Sequence, residues 1–335
     1  MQSDKAPGDD GGHVGRFPLS NPLPFPRVMR FFNELWVLLH AVTSHPNNRG
    51  AKAKAAAVAR LMGWQLRKKV LRKPMIIGVG GNRRFKVICD SKFSSMVVYN
   101  RLPEWDEMNF LLHYLRAEDG FLDIGANVGF YTVLASSVMG DERIVAIEAN
   151  ARNAAVIHEQ VALNGLTNVE VIEVALGNKK GEILFEDVGR EMGAVAAEGQ
   201  ETGKLMRVPC MPLDELLETL RIAARVLVAK MDVEGSEGLI LEGARKTLER
   251  GAVDVWLFEL SDEALRKHGS SAAGVVEGFE RNGYSILYWD EGERRLGRKG
   301  DEYDCGRANY LACRDPAMVA QRLAGMGKMG GDFEG

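Results

Sequence analysis

The turn at residues 121–132 constrains the fold of this chain more than any other part of its sequence. Phe121 and Leu122 begin a strand-like apolar run that ends in an acid and a glycine, and beyond that glycine the apolar residues recur at helical spacing. A strand that passes through a glycine turn directly into a helix is typical of the first βα unit of a nucleotide-binding sheet. The pattern predicts an α/β fold with a ligand site beyond the carboxyl end of this strand.

The spacing of the glycines in this turn distinguishes between ligands. Gly125 and Gly129 are four residues apart, and Asn127 stands where a dinucleotide-binding turn has the second glycine of G-x-G-x-x-G. Asp123 opens the turn, and an acid that faces the pocket suits a ligand with a cationic amine better than one with a pyrophosphate. S-adenosylmethionine carries an ammonium, a sulfonium and a ribose, so it fits these residues. The alternative is a tight turn that binds no ligand.

Two further strands follow at the spacing that such a sheet requires. Residues 143–147 form an apolar run after Arg143, and Glu148 follows this run directly. Glu148 lies about 20 residues beyond the glycine turn, and an acid at this position can accept hydrogen bonds from ribose hydroxyls. A third strand at residues 169–174 is followed by Ala175, where an adenine ring would rest against backbone and small side chains. The acid after the second strand supports adenosine binding without distinguishing S-adenosylmethionine from a dinucleotide.

A fourth segment, residues 226–237, combines a buried strand with charges. Its apolar run is interrupted near the end by Lys230, Asp232 and Glu234, which would share one face of an extended chain. Burial of three charges costs free energy, so the strand is expected to end in a polar crevice. The alternative is a cluster of a lysine and carboxylates that only caps the next helix.

These segments in this order resemble the FkbM family of S-adenosylmethionine-dependent methyltransferases, a branch of the class I Rossmann-like methyltransferases. The resemblance is strong over residues 121–260 and weaker over residues 49–313. The matching motifs are D-[IV]-G-A-N-[IV]-G at 123–129, the acid Glu148, N-G-L-x-N-V at 164–169, A-L-[GS] at 175–177, L-D-[ED]-L-L at 213–217, K-[IM]-D-V-E-G-x-E at 230–237 and Phe258-Glu259-Leu260.

The resemblance implies an α/β fold, a Rossmann-like sheet of about seven mostly parallel strands with helices on both faces, here with an N-terminal helical extension. It implies S-adenosylmethionine as the cofactor and O-methylation of a hydroxyl on a sugar, a glycan or a related natural product as the reaction. The implied catalytic residues are Asp232, Lys230 and Glu234, with Asp232 the first choice as base. The implied cofactor-binding residues are Asp123, Gly125, Ala126, Asn127, Gly129, Thr132, Glu148, Ala175 and Asp232.

Two other classes of function remain at this stage. A nicotinamide-dependent oxidoreductase is disfavoured by Asn127 and by the lack of a Tyr-x-x-x-Lys pair. A methyltransferase-like binding module without activity stays open. The four cysteines form no C-x-x-C motif and no cluster with histidine, so we expect neither a metal site nor a disulfide framework. Together with an N-terminus that lacks the features of a secretory signal, they predict a cytoplasmic protein.

The N-terminal part of the chain is unusually basic. Residues 35–89 contain 12 lysines and arginines and no acidic residue, although the whole chain has a net charge of −3. Residues 51–73 are expected to be helical, with apolar residues every four positions from Val58 to Val70. This region either contacts an anionic membrane at the inner face or forms a helical cap or dimer arm with a solvated basic face. The basic stretch contains no recognised nucleic-acid-binding motif.

The predicted organisation has four parts. Residues 1–27 form a disordered N-terminus, 28–105 the basic helical extension with short strands, 106–315 the methyltransferase domain, and 316–335 a C-terminal tail. Between the third and fourth strands, a hairpin at 181–185 and 205–209 is expected to flank a glycine-rich lid or acceptor-facing loop at 187–203.

Overall fold

The computed structural model describes residues 27–187, 194–195, 204–220, 222, 224–301 and 307–324. The prediction of a disordered N-terminus and most of the predicted lid at 187–203 lie outside these residues, as does the end of the predicted C-terminal tail. The chain divides into two compact units, residues 1–41 and 42–335. Helix α1 (Arg27–Ser44) begins in the first unit and ends in the second, and within the first unit it carries Trp36 and His40 one turn apart, with their rings stacked at a centroid distance of 5.6 Å.

The second unit begins with the helices and short strands expected of the basic extension. Helix α2 (Ala51–Leu66) continues into a π-helical turn at Arg67–Leu71. The antiparallel strands β1 (Met75–Gly78) and β2 (Arg84–Val87) follow, and then helix α3 (Lys92–Asn100). Over the described residues, no helix combines the length and the apolar character needed to cross a membrane.

Over the described residues, the central sheet has eight strands, five of them parallel. The parallel strands are β3 (Gly120–Ile124), β4 (Ile144–Ile147), β5 (Val169–Ile172), β10 (Leu227–Met231) and β11 (Val255–Glu259). The antiparallel strands are β12 (Ser285–Asp290), β13 (Arg295–Arg298) and β14 (Asn309–Cys313). From one edge to the other the order is β13-β12-β14-β11-β10-β3-β4-β5.

Helices connect and cover these strands. Every residue of β3, β4 and β10 is buried, as expected of a parallel sheet that is covered on both faces. The helices are α4 (Trp105–Tyr114), α5 (Phe130–Ser136), α6 (Ala151–Asn164), α7 (Leu213–Leu220), α8 (Glu237–Gly243), α9 (Arg245–Arg250), α10 (Asp262–Lys267), α11 (Ala272–Glu280) and α12 (Pro316–Ala324). The predicted α/β Rossmann-like sheet is therefore confirmed.

The strand order places the topological switch point between β3 and β10. From β3 the chain builds the sheet in one direction through β4 and β5, and from β10 it builds in the other direction through β11. Ligands of open α/β sheets bind at such a point, beyond the carboxyl ends of the strands. The two motifs singled out in the sequence, 121–132 and 226–237, belong to these two adjacent strands.

A second, smaller sheet forms the predicted hairpin. Its strands are β6 (Ala175–Leu176), β7 (Gly181–Asp187), β8 (Ala194–Val195) and β9 (Lys204–Met211), in the order β6-β9-β7-β8. The antiparallel pairing of β7 with β9 confirms the hairpin and extends it at both ends. Because β6 begins at Ala175, shortly after β5 ends at Ile172, this sheet lies beyond the carboxyl end of β5.

One strand of the central sheet was not predicted. The sequence indicated about seven strands, and the eighth is β13, the edge strand that pairs with β12. Its sequence, Arg-Leu-Gly-Arg, has a glycine and two charged residues, so it lacks the apolar content that identifies a buried strand. Gly297 is required there because a Cβ would lie 2.2 Å from the ring of Tyr288.

Part of the segment predicted as a tail is a helix that packs on the domain. Arg322 on α12 holds Asp119 with both guanidinium nitrogens, at 2.5 Å and 3.1 Å. Asp119 is fully buried and also accepts the backbone N–H of Arg116. A buried carboxylate is stable only when it is paired, so this ion pair joins the C-terminal helix to the loop that precedes β3.

Arg322→Ala should lower the free energy of unfolding by about 3–5 kcal/mol, because the carboxylate of Asp119 would remain buried without its partner. Urea unfolding measures this change. Arg281→Ala is the control, since Arg281 forms an exposed pair with Glu277 one helical turn away and should cost at most about 0.5 kcal/mol. Equal losses in the two variants would show that the Arg322 pair contributes no more than a surface pair.

Candidate functional site

The turn after β3 and the loop after β10 approach each other closely. Gly125 has a left-handed backbone with φ +78°, and a Cβ at this position would lie 2.0 Å from the carbonyl oxygen of Asp232. The backbone N–H of Asp232 donates to the carbonyl of Ile124 at 3.1 Å, which extends the strand pairing into the loop. Only glycine permits this approach. It brings the two predicted motifs together at the switch point.

Glu148 closes the same turn from the neighbouring strand. Its carboxylate accepts the backbone N–H of Asn127 at 2.7 Å with one oxygen and that of Asn150 at 2.8 Å with the other. Asn127 itself has a left-handed backbone, with φ +53°. Burial raises the pKa of Glu148 to about 7, against the effect of these backbone hydrogen bonds. The acid predicted to bind ribose is therefore fixed in place by the turn that it faces.

A first cavity of about 680 Å³, open to solvent, lies between these loops and the small sheet. Of the predicted cofactor-binding residues, five line it: Gly125, Asn127, Glu148, Ala175 and Asp232. Glu234, predicted as catalytic, lines it as well. Residues that the sequence did not suggest complete the wall, among them Asn153, Phe185, Val195 and Ser236.

Three buried polar atoms of residues that line this first cavity have no hydrogen-bond partner among the described residues. They are the side-chain carbonyl oxygens of Asn127 and Asn153 and the hydroxyl of Ser236. Buried polar groups are normally hydrogen-bonded, so these three unpartnered atoms indicate that a ligand supplies the missing hydrogen bonds. Amino and hydroxyl groups of an adenosine would do so. The residues therefore fit S-adenosylmethionine.

Asp123 and Thr132 lie behind this wall and do not line the first cavity. The hydroxyl of Thr132 donates to Asp123 at 2.6 Å, and Asp123 is only 1% exposed. Burial raises the pKa of Asp123, while Lys230 and the hydrogen bond from Thr132 lower it. Lys230 is its register partner on the adjacent strand. The structure therefore shows Asp123 as a neighbour of the lysine, and a direct role in holding the cofactor stays a prediction.

Two other predicted cofactor-binding residues act through the backbone. The side chain of Ala126 packs into a small core group with Ala146 and Ile157, and its backbone N–H donates to the carbonyl of Ile147 at 3.0 Å. Gly129 has φ +78° and precedes the first residue of α5. Neither residue lines the first cavity, so both shape the turn that does.

A second cavity, the acidic cavity, lies on the other side of Asp232. It has a volume of about 620 Å³ and shares Asp232 with the first cavity. Its lining residues are Glu104, Glu107, Tyr131, Lys230, Met231, Asp232, Leu257, Phe258, Glu259 and Asn309. In the described part of the chain, no group of His, Cys, Asp and Glu side chains is arranged to hold a metal ion.

Lys230 is the cation at the centre of the acidic cavity. Its ammonium lies 2.7 Å from a carboxylate oxygen of Asp232 and 4.5 Å from the ring centre of Tyr131. The Tyr131 hydroxyl donates to Glu104 at 2.5 Å. Burial lowers the pKa of Lys230, but the nearby carboxylates outweigh burial and raise it above its usual value. Lys230 therefore stays charged and neutralises part of the surrounding negative charge.

The remaining carboxyls of the acidic cavity hold protons more tightly than usual. Burial, followed by repulsion from Glu104, raises the pKa of Glu107 to about 7. Burial, followed by repulsion from Asp232 and Glu234, raises the pKa of Glu259 to about 7. These groups change charge near neutral pH, which suits them to exchange protons with a ligand.

The three charges predicted on one strand face do not all lie on the strand. β10 ends at Met231, and Glu234 has a left-handed backbone with φ +55° in the loop beyond it. Only Lys230 and Asp232 pair with each other. The expectation of a shared strand face is wrong for Glu234, because the chain leaves the extended conformation before reaching it. Glu234 still lines the first cavity beside Asp232.

Sequence reasoning missed most of the acidic cavity. Glu104 precedes α4 and Asn309 begins β14, far from the recognised motifs and without a pattern of their own. Tyr131 belongs to the apolar helical spacing after the glycine turn and has no motif of its own, although it is the residue that joins Glu104 to Lys230. Glu259 lies in the motif Phe258-Glu259-Leu260, which is the sequence signal for its place in this cavity.

Comparison with known proteins identifies the domain. Residues 123–286 match the family model described as the methyltransferase FkbM domain. No curated protein sequence matches the chain. Distant structural likenesses include methyltransferase FkbM from Methylobacillus flagellatus KT, with 13% identity over 86% of this chain and 71% of that chain and a TM-score of 0.38.

Two further structures are similar at the same level. Precorrin-6y C5,15-methyltransferase from Geobacter metallireducens GS-15 has 15% identity over 62% of this chain and 86% of that chain, with a TM-score of 0.34. An rRNA methylase from Streptococcus thermophilus has 13% identity over 62% of this chain and 91% of that chain, with a TM-score of 0.35. Likenesses this distant say nothing about the acceptor.

The matched residues include both loops of the switch point, from the turn at Asp123 to the block at 230–237. The match decides between the classes of function left open by the sequence, in favour of a methyltransferase over an oxidoreductase. Residues 123–286 therefore form a methyltransferase FkbM domain, and S-adenosylmethionine is its cofactor.

Proposed function

We propose that the protein transfers the methyl group of S-adenosylmethionine to a hydroxyl of an acceptor that binds in the acidic cavity. The observation that carries the proposal is the position of Asp232, which lines both cavities. A cofactor in one cavity and an acceptor in the other would meet at this residue. Proximity of the two reactants is the main requirement of a direct transfer.

The first cavity supplies the contacts that a nucleoside cofactor needs. Glu148 and the unpartnered oxygens of Asn127 and Asn153 accept hydrogen bonds from hydroxyl and amino groups, and Ala175 offers a small side chain against a flat ring. When bound, S-adenosylmethionine supplies an electrophilic methyl group whose departure leaves a neutral thioether. The residues of this chain bind and orient the reactants and accept the proton of the acceptor.

The acidic cavity favours an acceptor rich in hydroxyl groups. Glu104, Glu107 and Glu259 are hydrogen-bond acceptors that hydroxyl donors can satisfy, and Asn309 adds an amide. Sugars present several such donors, so a sugar, a glycan or a related natural product is the proposed acceptor class. Asp232 pairs with Lys230 and lines the cavity, where its carboxylate is the proposed acceptor of the hydroxyl proton, and Glu259 is a second candidate base in the same cavity.

Calorimetry tests the cofactor. The protein should bind S-adenosylmethionine and S-adenosylhomocysteine but not NAD, and Glu148→Ala should weaken the first two by about 10- to 150-fold, which corresponds to about 1.5–3 kcal/mol for hydrogen bonds to a charged group. Glu159→Ala is the control, because Glu159 also lies between β4 and β5 but pairs with Lys86 on the surface. Unchanged affinity in Glu148→Ala would remove Glu148 from the cofactor site.

Asp232→Asn tests the proton acceptor, because it preserves shape while removing the charge. If Asp232 is the base, kcat should fall by about 10²- to 10⁴-fold while the Kd for the cofactor stays nearly constant. The release of S-adenosylhomocysteine with hydroxyl-bearing acceptors measures turnover. A parallel fall in affinity would assign Asp232 to orienting the cofactor, and unchanged values for both would show that the cluster is structural.

The pH dependence distinguishes Glu259 from Asp232. A base with a pKa of about 7 is protonated and inactive below neutral pH, so kcat should rise with pH and level off above about 7 if Glu259 accepts the proton. Glu259→Gln should then lower kcat and remove this rise, whereas Asp232→Asn should retain the rise but move it to lower pH, because repulsion from Asp232 no longer raises the pKa of Glu259. If the rise survives in Glu259→Gln, Glu259 is not the group that titrates.

A further inference from the structure

Helix α2 has two apolar faces, and only one of them is buried. Ala57, Leu61 and Trp64 pack against the domain, and the indole of Trp64 donates to Ser95 on α3 at 2.9 Å. The opposite face is exposed. We call it the outer face, and it consists of Lys52, Ala55, Ala59, Met62 and Leu66 on α2 together with Lys69 and Val70 on the π-helical turn that continues the helix.

The outer face exposes large apolar side chains to solvent. Met62 is 51% exposed, Leu66 65% and Val70 67%, at the spacing of one helical turn. The face runs from residue 52 to residue 70, which corresponds to about 27 Å of helix. Single exposed apolar residues are common, but a continuous line of them marks a surface that contacts another body.

The far end of the outer face is held in place by hydrogen bonds. The guanidinium of Arg67 donates to the carbonyls of Lys73 and Pro74, and the ammonium of Lys68 donates to the hydroxyl of Ser95. These bonds fix the π-helical turn against the domain, so Val70 and the neighbouring Leu71 point away from it. Their exposure is therefore part of the folded structure.

Cations accompany this apolar surface. Lys52 and Lys69 belong to the outer face, and the exposed Arg72 and Lys73 follow its last turn. No acidic residue occurs in residues 35–89. The segment that forms the outer face therefore contributes apolar side chains and cations and no anion, and such a segment complements a surface that offers an apolar layer beneath negative charges.

We propose that the outer face of α2 binds the surface of a lipid bilayer that contains anionic lipids. The helix would lie parallel to the membrane, with Met62, Leu66 and Val70 entering the boundary between headgroups and acyl chains. The lysines and arginines at its edges would contact the headgroups. This arrangement places the protein on the membrane and not across it, and it does not depend on the proposed reaction.

A second copy of this chain is a less suitable occupant. A twofold interface would bring the same patch of both copies together, so the cations of one would face the cations of the other. The surrounding segment offers no carboxylate to compensate them. Anionic lipids supply the compensating negative charge, and the apolar side chains of the outer face can then enter the hydrocarbon boundary.

Sedimentation of the full-length protein with liposomes tests the proposal. Vesicles of phosphatidylcholine and phosphatidylglycerol should bind the protein, vesicles of phosphatidylcholine alone should bind it weakly, and binding should fall as salt rises towards 1 M. Lys52→Gln with Lys73→Gln should weaken binding about 25-fold, or about fivefold for each charge, which corresponds to about 1 kcal/mol per lysine.

Met62→Gln with Leu66→Gln should weaken binding to the anionic vesicles at least tenfold while leaving the thermal unfolding temperature unchanged, because both side chains are already exposed. The matched control is Leu184→Gln with Leu205→Gln, which removes two exposed leucines from the small sheet, at 41% and 36% exposure. The control should bind vesicles like the wild type.

Three results would overturn the proposal. They are the absence of binding to anionic vesicles, equal binding to neutral vesicles, and equal losses in the outer-face and control variants. Dimerisation that depends on Met62 and Leu66, without lipid binding, would assign the outer face to a second copy. Analytical ultracentrifugation of the same variants without lipid measures that outcome. None of these results bears on whether the first cavity binds S-adenosylmethionine.

Discussion

The close approach of the turn after β3 to the loop after β10 determines the geometry of both cavities. The carbonyl of Asp232 occupies the space that a side chain at residue 125 would need, and the Asp232 N–H continues the hydrogen bonding of the sheet. This contact sets where Asp232 emerges, and Asp232 is the residue that the two cavities share. An alanine at residue 125 would meet backbone, which cannot move aside as the end of a flexible side chain can. The same contact therefore requires glycine at residue 125 and sets the position of Asp232.

A second constraint is electrostatic. Lys230 is 8% exposed, and its burial is tolerable only because Asp123 lies beside it on β3 and Asp232 accepts its hydrogen bond. Glu104 reaches the same group through Tyr131, so residues from four parts of the chain converge on one cation. The strand register alone places Asp123 beside Lys230. The sequence motifs on β3 and β10 thus depend on each other, and removal of the lysine would leave several acids facing one another without compensation.

The parts of the fold that follow from local periodicity could be predicted, and those that depend on distant contacts could not. The five parallel strands are mostly apolar segments that end at or just before a glycine or an acid, so local sequence predicts their positions. β13 has no such run, and its pairing is set by its neighbour β12.

The outer face of α2 is a second feature that local periodicity could not predict. The four-residue spacing of Met62, Leu66 and Val70 correctly indicated a helix, but it could not show that the domain packs instead on Ala57, Leu61 and Trp64. In the site, the acids that lie within motifs could be predicted. Glu104 and Asn309 could not, because they line the acidic cavity only after the chain folds back onto β10.

The buried carboxyls make the site costly for the folded protein at neutral pH. Glu148 and Glu237 both have a pKa raised to about 7, with burial as the main cause. A pKa that is higher in the folded than in the unfolded chain means that the folded protein binds more protons between about pH 4.5 and 7, so stability falls as pH rises through this range. These carboxylates lie in or beside the first cavity, where a ligand with cationic groups and hydroxyl donors would offset their desolvation. An apolar side chain would fill the same space without the free-energy cost of desolvating a carboxylate. The presence of carboxylates at these positions therefore indicates a site that binds a ligand.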